Sequence, residues 1–246
     1  MNPTIKILQA HRSIRKFTDQ PIDGQLLGDI LGAGQSAATS SFIQATTVIR
    51  VTDSDKRQAL VELSGGQKYV ASCAEFFVLC ADLHRNQQQV LELGEQPDYD
   101  WTEQFLAATV DVGLFAQNMV IAAQSVGLGV CYIGGIRNHP DQVSDMLELP
   151  DLVCPVFGLC LGYPDQNPDK KPRLPLTAVV HQNSYNLSDS VKTDIANYDD
   201  SVKAYYVERT KGALDINWSQ QMAKQAAGQS RPFMRNFLEN KGFMKK

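Results

Sequence analysis

The chain lacks the short motifs that most enzymes with self-contained chemistry carry. None of its five cysteines forms a Cys-x-x-Cys pair, and its four histidines show no ligand spacing, so we expect no metal. It has no Gly-x-Ser-x-Gly nucleophile elbow. No Gly-x-Gly-x-x-Gly follows a predicted strand, which argues against a Rossmann nucleotide fold. The sequence therefore offers no evident nucleophile, metal centre or acid–base pair of its own.

Long apolar runs and a strong positive charge are also missing. No apolar run approaches the ~20 residues that cross a bilayer, so we expect no membrane association. Residues 1–6 form no extended apolar stretch, and we expect no secretory signal. The formal net charge of −4 argues against a nucleic-acid surface. The odd number of cysteines favours a reducing compartment, and we expect a cytoplasmic protein.

The apolar content is that of a folded domain. The 246 residues are 43% hydrophobic, which suits one large domain or two small ones. Segments rich in β-branched or continuously apolar residues predict strands, at 46–52, 76–81, 130–133, 153–161 and 178–181. Helices are predicted between them at 5–10, 22–32, 53–63, 102–126 and 140–147, and again after 188. The segment 84–101 fits either a helix or a loop. This alternation indicates one mixed, layered domain.

The segment 102–126 is the clearest predicted helix. Thr102 can cap its N-terminus, and Gly127 and Gly129 can end it. Apolar residues lie on nearly all of its faces, which predicts a helix buried in the core.

Two basic clusters and two glycine pairs are the features that point to a site. The clusters are His11-Arg12-Ser13-Ile14-Arg15-Lys16 and Lys170-Lys171-Pro172-Arg173. In an acidic chain they suggest one focused phosphate site, because arginine pairs with phosphate bidentately, although two solvated basic loops would look the same. Gly65-Gly66 and Gly134-Gly135 permit close backbone approach or are simply tight turns. A phosphate site without catalytic side chains suggests that a bound cofactor supplies the chemistry.

Several stretches together resemble the oxygen-insensitive nitroreductase superfamily of FMN enzymes, in its branch of NADPH-dependent nitroreductases and flavin reductases. The resemblance covers essentially the whole chain, and its motifs lie at 11–17, 40–42, 65–69, 132–138, 157–162, 167–168, 171–175 and 230–233. It implies an α+β, nitroreductase-like fold with a central, mostly antiparallel sheet flanked by helices. Two subunits would intertwine as a homodimer with FMN at the interface. The whole chain, 1–246, would be one FMN-binding domain whose helical extension, about 188–246, packs on the dimer.

The resemblance also implies roles for individual positions. The FMN-binding set comprises His11, Arg12, Ser13, Arg15, Ser40, Gln67, Tyr69, Tyr132, Ile133, Gly134, Gly135, Lys171 and Arg173. Within this set His11, Ser13, Lys171 and Arg173 would hold the phosphate. Arg15 would reach the pyrimidine end of the flavin, and Gly134 and Gly135 would lie near its N5 atom. The substrate and NADPH set comprises Ser41, Phe42, Arg209, Lys211, Arg231 and Phe233.

The activity that the resemblance implies is a two-electron, ping-pong oxidoreductase. NADPH would reduce the bound FMN and leave, and a nitroaromatic or a quinone would then take both electrons. Arg209 matches the arginine associated with the 2′-phosphate of NADPH, but Leu214 and Asp215 depart from the polar, often basic loop that follows it. One alternative is a flavin reductase that supplies reduced FMN. An alternative of another class is a flavin-binding protein without turnover, which would not need Arg209 or the segment 230–233.

Overall fold

A four-stranded antiparallel sheet organises most of the chain. In the computed structural model, which describes residues 1–228 and 230–246, the strands are β1 Thr46–Arg50, β2 Glu75–Asp82, β3 Gly129–Ile133 and β4 Val153–Gly162. Their order across the sheet is β1-β2-β4-β3, and every neighbouring pair is antiparallel. The predicted central sheet is confirmed, and each of its four strands lies within two residues of its predicted bounds.

The described chain divides into two compact units. The larger comprises Met1–Asn167 and Arg231–Lys246, and the smaller comprises Pro168–Ser230. The larger unit holds the whole sheet and eight helices: α1 Pro3–Gln9, α2 Gly24–Gln35, α3 Ser54–Leu63, α4 Tyr69–Ser72, α5 His84–Glu92, α6 Thr102–Ser125, α7 Pro140–Met146 and α10 Met234–Asn240. The segment 84–101, which the sequence left open, therefore begins as a helix.

The apolar core of the larger unit forms a layer on each face of the sheet. Successive residues of β2 point to opposite faces, so Phe77 and Leu79 join one layer while Phe76 and Val78 join the other. The first layer includes residues of α2 and α6, and the second includes residues of α3 and α7. Because β2 and β4 are buried on both faces, their inner residues 76–81 and 153–161 form continuous apolar runs, while Glu75 and Asp82 end β2.

Helix α6 differs from its prediction in two ways. Met119 and other side chains on one face are buried in the core, but Leu106, Val110 and Leu114 are 56%, 51% and 44% exposed. These three residues are spaced by four, so they form an apolar stripe on the open face. The prediction that α6 is buried all round is therefore wrong. Thr102 is not its cap either, because its hydroxyl donates to the Lys246 carbonyl and the cap position is Trp101.

Helix α6 also bears on the membrane prediction. Among the described residues it is the one helix long and apolar enough to cross a membrane by length and composition, with 33% of its most apolar window buried. No membrane-spanning segment is predicted from the sequence, because no uninterrupted apolar run has the required length. The core helix of a globular protein can have the same length and apolar composition. One such helix is therefore weak evidence for a membrane span.

The smaller unit is helical. It contains a 3-10 turn at Leu176–Ala178 and the helices α8 Asp189–Arg209 and α9 Trp218–Ala226. The rings of Tyr198 and Trp218 meet edge to face with centroids 6.0 Å apart. The strand predicted at 178–181 is wrong, because the N–H groups of Val179 and Val180 bond back to the carbonyl of Leu176 within the turn.

Candidate functional site

The basic N-terminal segment lies along the outer edge of β3. Ser13 forms a parallel bridge with Val130, and the N–H of Ile14 donates to the Val130 carbonyl over 2.9 Å. The Ile14 side chain is buried against Gly129, where an added Cβ would lie 2.8 Å from it. Because side chains alternate along an extended segment, Ser13 and Arg15 project away from that contact. The predicted phosphate motif therefore lies along the β3 edge of the sheet.

Arg15 is the first member of a series of polar contacts near the carboxyl end of β3. It hydrogen-bonds the Tyr69 hydroxyl; burial raises the pKa of that hydroxyl, and the bond and charge of Arg15 partly oppose the rise. Tyr69 donates in turn to Gln67 Oε1. Gln67 Nε2 donates to the Ser64 carbonyl over 2.7 Å. The Gln67 amide is therefore held at both of its ends.

Gly135 packs directly against that amide. A Cβ on Gly135 would lie 2.5 Å from Gln67 Nε2 and would overlap the Ser64 carbonyl, so no larger residue fits. Gly134 and Gly135 open the 3-10 turn Gly134–Asn138 that follows β3. The first N–H groups of such a turn have no partner within it, and neither glycine N–H donates to another described residue. The turn therefore presents two free backbone donors.

Arg231 closes the series at its other end. Its Nη2 lies 3.2 Å from the Gly134 carbonyl and 2.8 Å from Asn138 Oδ1. Its backbone φ of +54° is unusual for a residue other than glycine. We call the set Arg15, Tyr69, Gln67, Gly135, Gly134 and Arg231 the β3-end row. It places a guanidinium at each end of a stretch of neutral donors and acceptors, an arrangement that suits a flat ligand with polar edges and anionic character.

Sequence reasoning missed two residues beside this row. Asn138 accepts two hydrogen bonds from Arg231, and a Cβ on Gly65 would lie 3.5 Å from its Nδ2. Arg137 donates to the Val156 carbonyl. Its pKa is lowered by burial and, second, by the charge of Arg231. Both residues lie in the stretch 132–138 that resembles the family, and their place in it is the signal that could have found them.

Other predicted cofactor residues in the larger unit have contacts of their own. His11 Nδ1 lies 3.3 Å from Gln124 Oε1, and the Arg12 guanidinium donates to Asn167 Oδ1. The Tyr132 hydroxyl donates to Gln117 Oε1 over 3.3 Å, and burial raises its pKa to about 12. The Ile133 side chain is fully buried in the core, so only its backbone can face a ligand.

The predicted FMN residue Ser40 and the predicted substrate residues Ser41 and Phe42 lie apart from the β3-end row. They form a 3-10 turn whose Ser40 N–H bonds to Asp111 on α6. Within residues 1–228 and 230–246, no hydrogen bond or ring contact joins this turn to the row. Phe42 is 81% exposed, and Phe233, just before α10, is also exposed.

The remaining predicted residues belong to the smaller unit. Lys171 Nζ donates to the Tyr206 hydroxyl over 2.7 Å and lies 5.0 Å from the centre of its ring. Arg173 is exposed and donates to the Lys171 carbonyl.

The predicted NADPH-binding arginine is also in this unit, at the end of α8. Arg209 donates to the Tyr205 hydroxyl over 2.9 Å, and Lys211 follows in a left-handed conformation. Asp215, which departs from the family pattern, forms an ion pair with Lys203 at 3.3 Å. Its charge is therefore partly neutralised.

Comparisons with known proteins identify the family of this fold and site. The model of the nitroreductase family matches residues 8–163, and the model of the nitroreductase family's C-terminal domain matches residues 171–246. The chain belongs to the nitroreductase family. The resemblance inferred from the sequence motifs is therefore confirmed over nearly the whole chain.

Individual relatives of this nitroreductase-family chain are similar over their full lengths. An NADPH-flavin oxidoreductase from Vibrio harveyi is 45% identical over 246 residues, which cover 100% of both chains. An oxygen-insensitive NADPH nitroreductase from Salmonella typhimurium is 43% identical, with 99% of each chain covered. The solved structure of the NfrA1 nitroreductase from B. subtilis has a TM-score of 0.96 at 43% identity, covering 99% of this chain and 100% of that one.

Proposed function

We propose that the chain is an FMN-dependent oxidoreductase that uses NADPH to reduce nitroaromatics and quinones by two electrons in a ping-pong cycle. The observation that carries the proposal is the β3-end row in a member of the nitroreductase family. Relatives named as an NADPH nitroreductase and an NADPH-flavin oxidoreductase support the choice of donor and cofactor. Hydride transfer through FMN needs no catalytic side chain. This agrees with the absence of nucleophile and metal-binding motifs from the sequence.

The residues of the row suit FMN. The free N–H groups of Gly134 and Gly135 are donors for the acceptor atoms of a flavin ring. Gln67 offers an oriented amide, and Arg15 offers a positive charge. FMN, when bound, accepts hydride from NADPH and passes two electrons to the acceptor. Arg15 would stabilise the negative charge of the reduced cofactor.

The phosphate residues are proposed from the family motif. His11 and Ser13 belong to the larger unit, and Lys171 and Arg173 belong to the smaller one. All four are of types that bind phosphate through hydrogen bonds or charge. We also propose that Arg209 binds the 2′-phosphate of NADPH, because its guanidinium is exposed at the end of α8 and makes one hydrogen bond, to the Tyr205 hydroxyl, among the described residues.

A homodimer is part of the proposal. The apolar stripe Leu106, Val110 and Leu114 on α6 is exposed in one chain, which favours burial against a second copy. Among the described residues, no hydrogen bond or ring contact joins the turn Ser40–Phe42 to the β3-end row of its own chain, so a second copy would have to bring the two together if both belong to one site. Light scattering on the purified protein should give twice the chain mass. Val110→Glu should shift it to one chain mass and reduce flavin retention.

A flavin reductase is the second candidate function. The 45% identity to the NADPH-flavin oxidoreductase of Vibrio harveyi favours it. The two functions differ only in the preferred acceptor, so NADPH oxidation rates with free FMN and with a nitrofuran separate them. A rate with free FMN far above that with any nitrofuran or quinone would favour the flavin reductase.

The test of the common proposal is the flavin itself. The purified protein should be yellow with flavin absorption bands, and anaerobic NADPH should bleach them. Subsequent addition of a nitrofuran should restore the oxidised spectrum. A colourless protein that does not take up FMN would contradict the proposed cofactor, and a yellow protein that NADPH does not bleach would favour a flavin-binding protein without turnover.

Since its five cysteines are all unpaired and buried, we propose a cytoplasmic location.

A further inference from the structure

Two arginine side chains from distant parts of the chain approach Gly134. Arg231 Nη2 lies 3.2 Å from the Gly134 carbonyl, and a Cβ built on Gly134 would lie 3.6 Å from Arg137 Nη2. Arg137 belongs to the 3-10 turn that Gly134 opens, whereas Arg231 lies shortly before α10. Both side chains are partly buried. Two guanidinium groups are thus held beside one backbone position at the end of β3.

No carboxylate balances these charges within the part of the chain that the structure describes. Neither arginine forms an ion pair with an aspartate or glutamate there. Burial is the largest influence on Arg137, and the charge of Arg231 is the second; both lower its pKa, and only the Cys154 thiol opposes them. Partly buried like charges are unfavourable unless an anion offsets them.

Both guanidinium groups also keep free donors. Arg137 uses Nη1 for the Val156 carbonyl, and Arg231 uses Nε and Nη2 for Asn138 and Gly134. Within the described residues, Arg137 Nε and Nη2 and Arg231 Nη1 donate to no acceptor. The bonds that are made go to neutral oxygens, and they fix the two groups in place without neutralising them. Guanidinium donors arranged in this way match the oxygens of phosphate, sulfate or carboxylate.

We propose that Arg137 and Arg231 form a subsite for an oxyanion group beside the Gly134 end of the β3-end row. The inference rests on the proposed function, because the subsite would hold the anionic part of a molecule that reacts at the adjacent flavin. Two sources share this chemistry: the diphosphate of the nicotinamide nucleotide and an anionic substituent on the electron acceptor. Arg137 is the new element, since neither the sequence motifs nor the family resemblance assigned it a role.

Sulfate is the probe for the subsite. The FMN-loaded protein is titrated with sodium sulfate by calorimetry, with sodium chloride adjusted to keep the ionic strength constant. The flavin phosphate site is already occupied in this form, so it does not compete. We expect saturable binding to the wild type that weakens at least tenfold in Arg137→Gln and in Arg231→Gln. Binding that is non-saturable, or equal in all three proteins, overturns the proposal.

A matched variant controls for the loss of one positive charge. Arg235 lies four residues after Arg231, is exposed and pairs with Glu239. Arg235→Gln should therefore leave sulfate affinity within twofold of wild type. Arg137→Lys retains a charge and a donor for the Val156 carbonyl, so it should fold even if Arg137→Gln does not. It should bind sulfate with intermediate affinity, whereas wild-type affinity in Arg137→Lys would mean that the guanidinium fork is not used.

Kinetics distinguish the two sources of the oxyanion. If it is the nucleotide diphosphate, Arg137→Gln lowers kcat/KM for NADPH and NADH equally, at least fivefold, and leaves kcat/KM for the acceptors unchanged. If it is an acceptor substituent, the variant lowers kcat/KM for 4-nitrobenzoate at least fivefold more than for the neutral 4-nitrobenzamide. An equal loss for every donor and acceptor would mean that Arg137 only supports the fold, and would overturn the subsite. The sulfate titration needs no turnover. Absence of sulfate binding would therefore contradict the subsite alone, whereas a flavin that NADPH does not bleach would contradict the proposed oxidoreductase function.

Discussion

Asp111 accepts a hydrogen bond from the backbone N–H of Ser40, with 2.9 Å between its Oδ1 and the nitrogen. Asp111 lies in the middle of α6 and is 1% exposed, and its Oδ2 has no hydrogen-bond partner among the described residues. Three residues of the adjacent turn, Ser41, Phe42 and Gln44, have φ between +46° and +60°. Such conformations are costly outside glycine and persist only where surrounding contacts hold them. Asp111 thus ties the proposed substrate turn to the core helix.

Replacing Asp111 tests whether its hydrogen bond to Ser40 positions the turn. Asp111→Leu removes the acceptor, and we expect the turn to relax and KM for a nitrofuran to rise roughly fivefold or more, about 1 kcal/mol, within the range of one lost hydrogen bond. Asp111→Asn keeps Oδ1 as an acceptor and should stay within twofold of wild type. Steady-state kinetics with a nitrofuran, and melting temperatures to check folding, give the answer. A wild-type KM in both variants would mean that other contacts position the turn.

Gly135→Ala should disrupt the β3-end row. The new methyl group would overlap the Ser64 carbonyl and the Gln67 amide, and overpacking of this kind typically costs about 1–3 kcal/mol. We expect a lower melting temperature and a lower ratio of flavin to protein. At Gly134 the added methyl would make only an ordinary contact, at 3.6 Å, with Arg137 Nη2, so Gly134→Ala should melt close to wild type. Equal melting temperatures for both variants would contradict this geometry.

Arg173→Ala should weaken FMN retention. It would remove the proposed charge-assisted contact with the phosphate, worth roughly 1.5–3 kcal/mol, or about ten- to a hundredfold in affinity. The variant should lose flavin during extensive dialysis and regain activity when FMN is added. Lys170→Ala is the control, because it removes a charge from the same cluster at a position without an assigned contact. Full flavin occupancy of Arg173→Ala after dialysis would refute the phosphate assignment.

Arg15→Gln should leave FMN bound but lower its reduction potential. Arg15 lies at one end of the β3-end row in contact with Tyr69, and in the proposed FMN site its positive charge would stabilise the reduced flavin. Arg15→Lys keeps a positive charge, so its FMN reduction potential should lie between those of Arg15→Gln and the wild type. Equilibration with reference dyes measures the potential, and an unchanged value in Arg15→Gln would exclude this role.

Arg209→Ala should affect NADPH far more than NADH. The two donors differ only by the 2′-phosphate, so we expect kcat/KM for NADPH to fall roughly tenfold, about 1.4 kcal/mol, with NADH barely changed. Because the side chain is exposed, the effect should shrink as salt rises. Lys192→Ala, an exposed charge near the start of α8, serves as the control. Equal losses for both donors would mean that Arg209 supports structure instead.

Local patterns in the sequence were sufficient for most of the fold. Continuous apolar runs predicted β2 and β4, because the central positions of strands buried on both faces are apolar on each side. At the start of α3 the carboxylate of Asp53 accepts a hydrogen bond from the Lys56 N–H, a local capping signal of the kind that marks helix starts. The predicted strand at 178–181 failed because β-branched residues also fit a turn, and the choice depends on hydrogen-bond partners that only the folded chain supplies.

The sequence by itself determined the family, the antiparallel sheet and the residue types of the β3-end row, because these follow from apolar periodicity and from motifs in a fixed order. Only the tertiary structure decided which residues meet. Asp111 and Ser40 are 71 positions apart, and Arg231 and Asn138 are 93 positions apart. The exposed stripe of α6 and the unpaired charge of Arg137 were likewise not readable from composition. Contacts between distant positions depend on how helices and strands pack in three dimensions, and spacing along the chain carries no direct record of that packing.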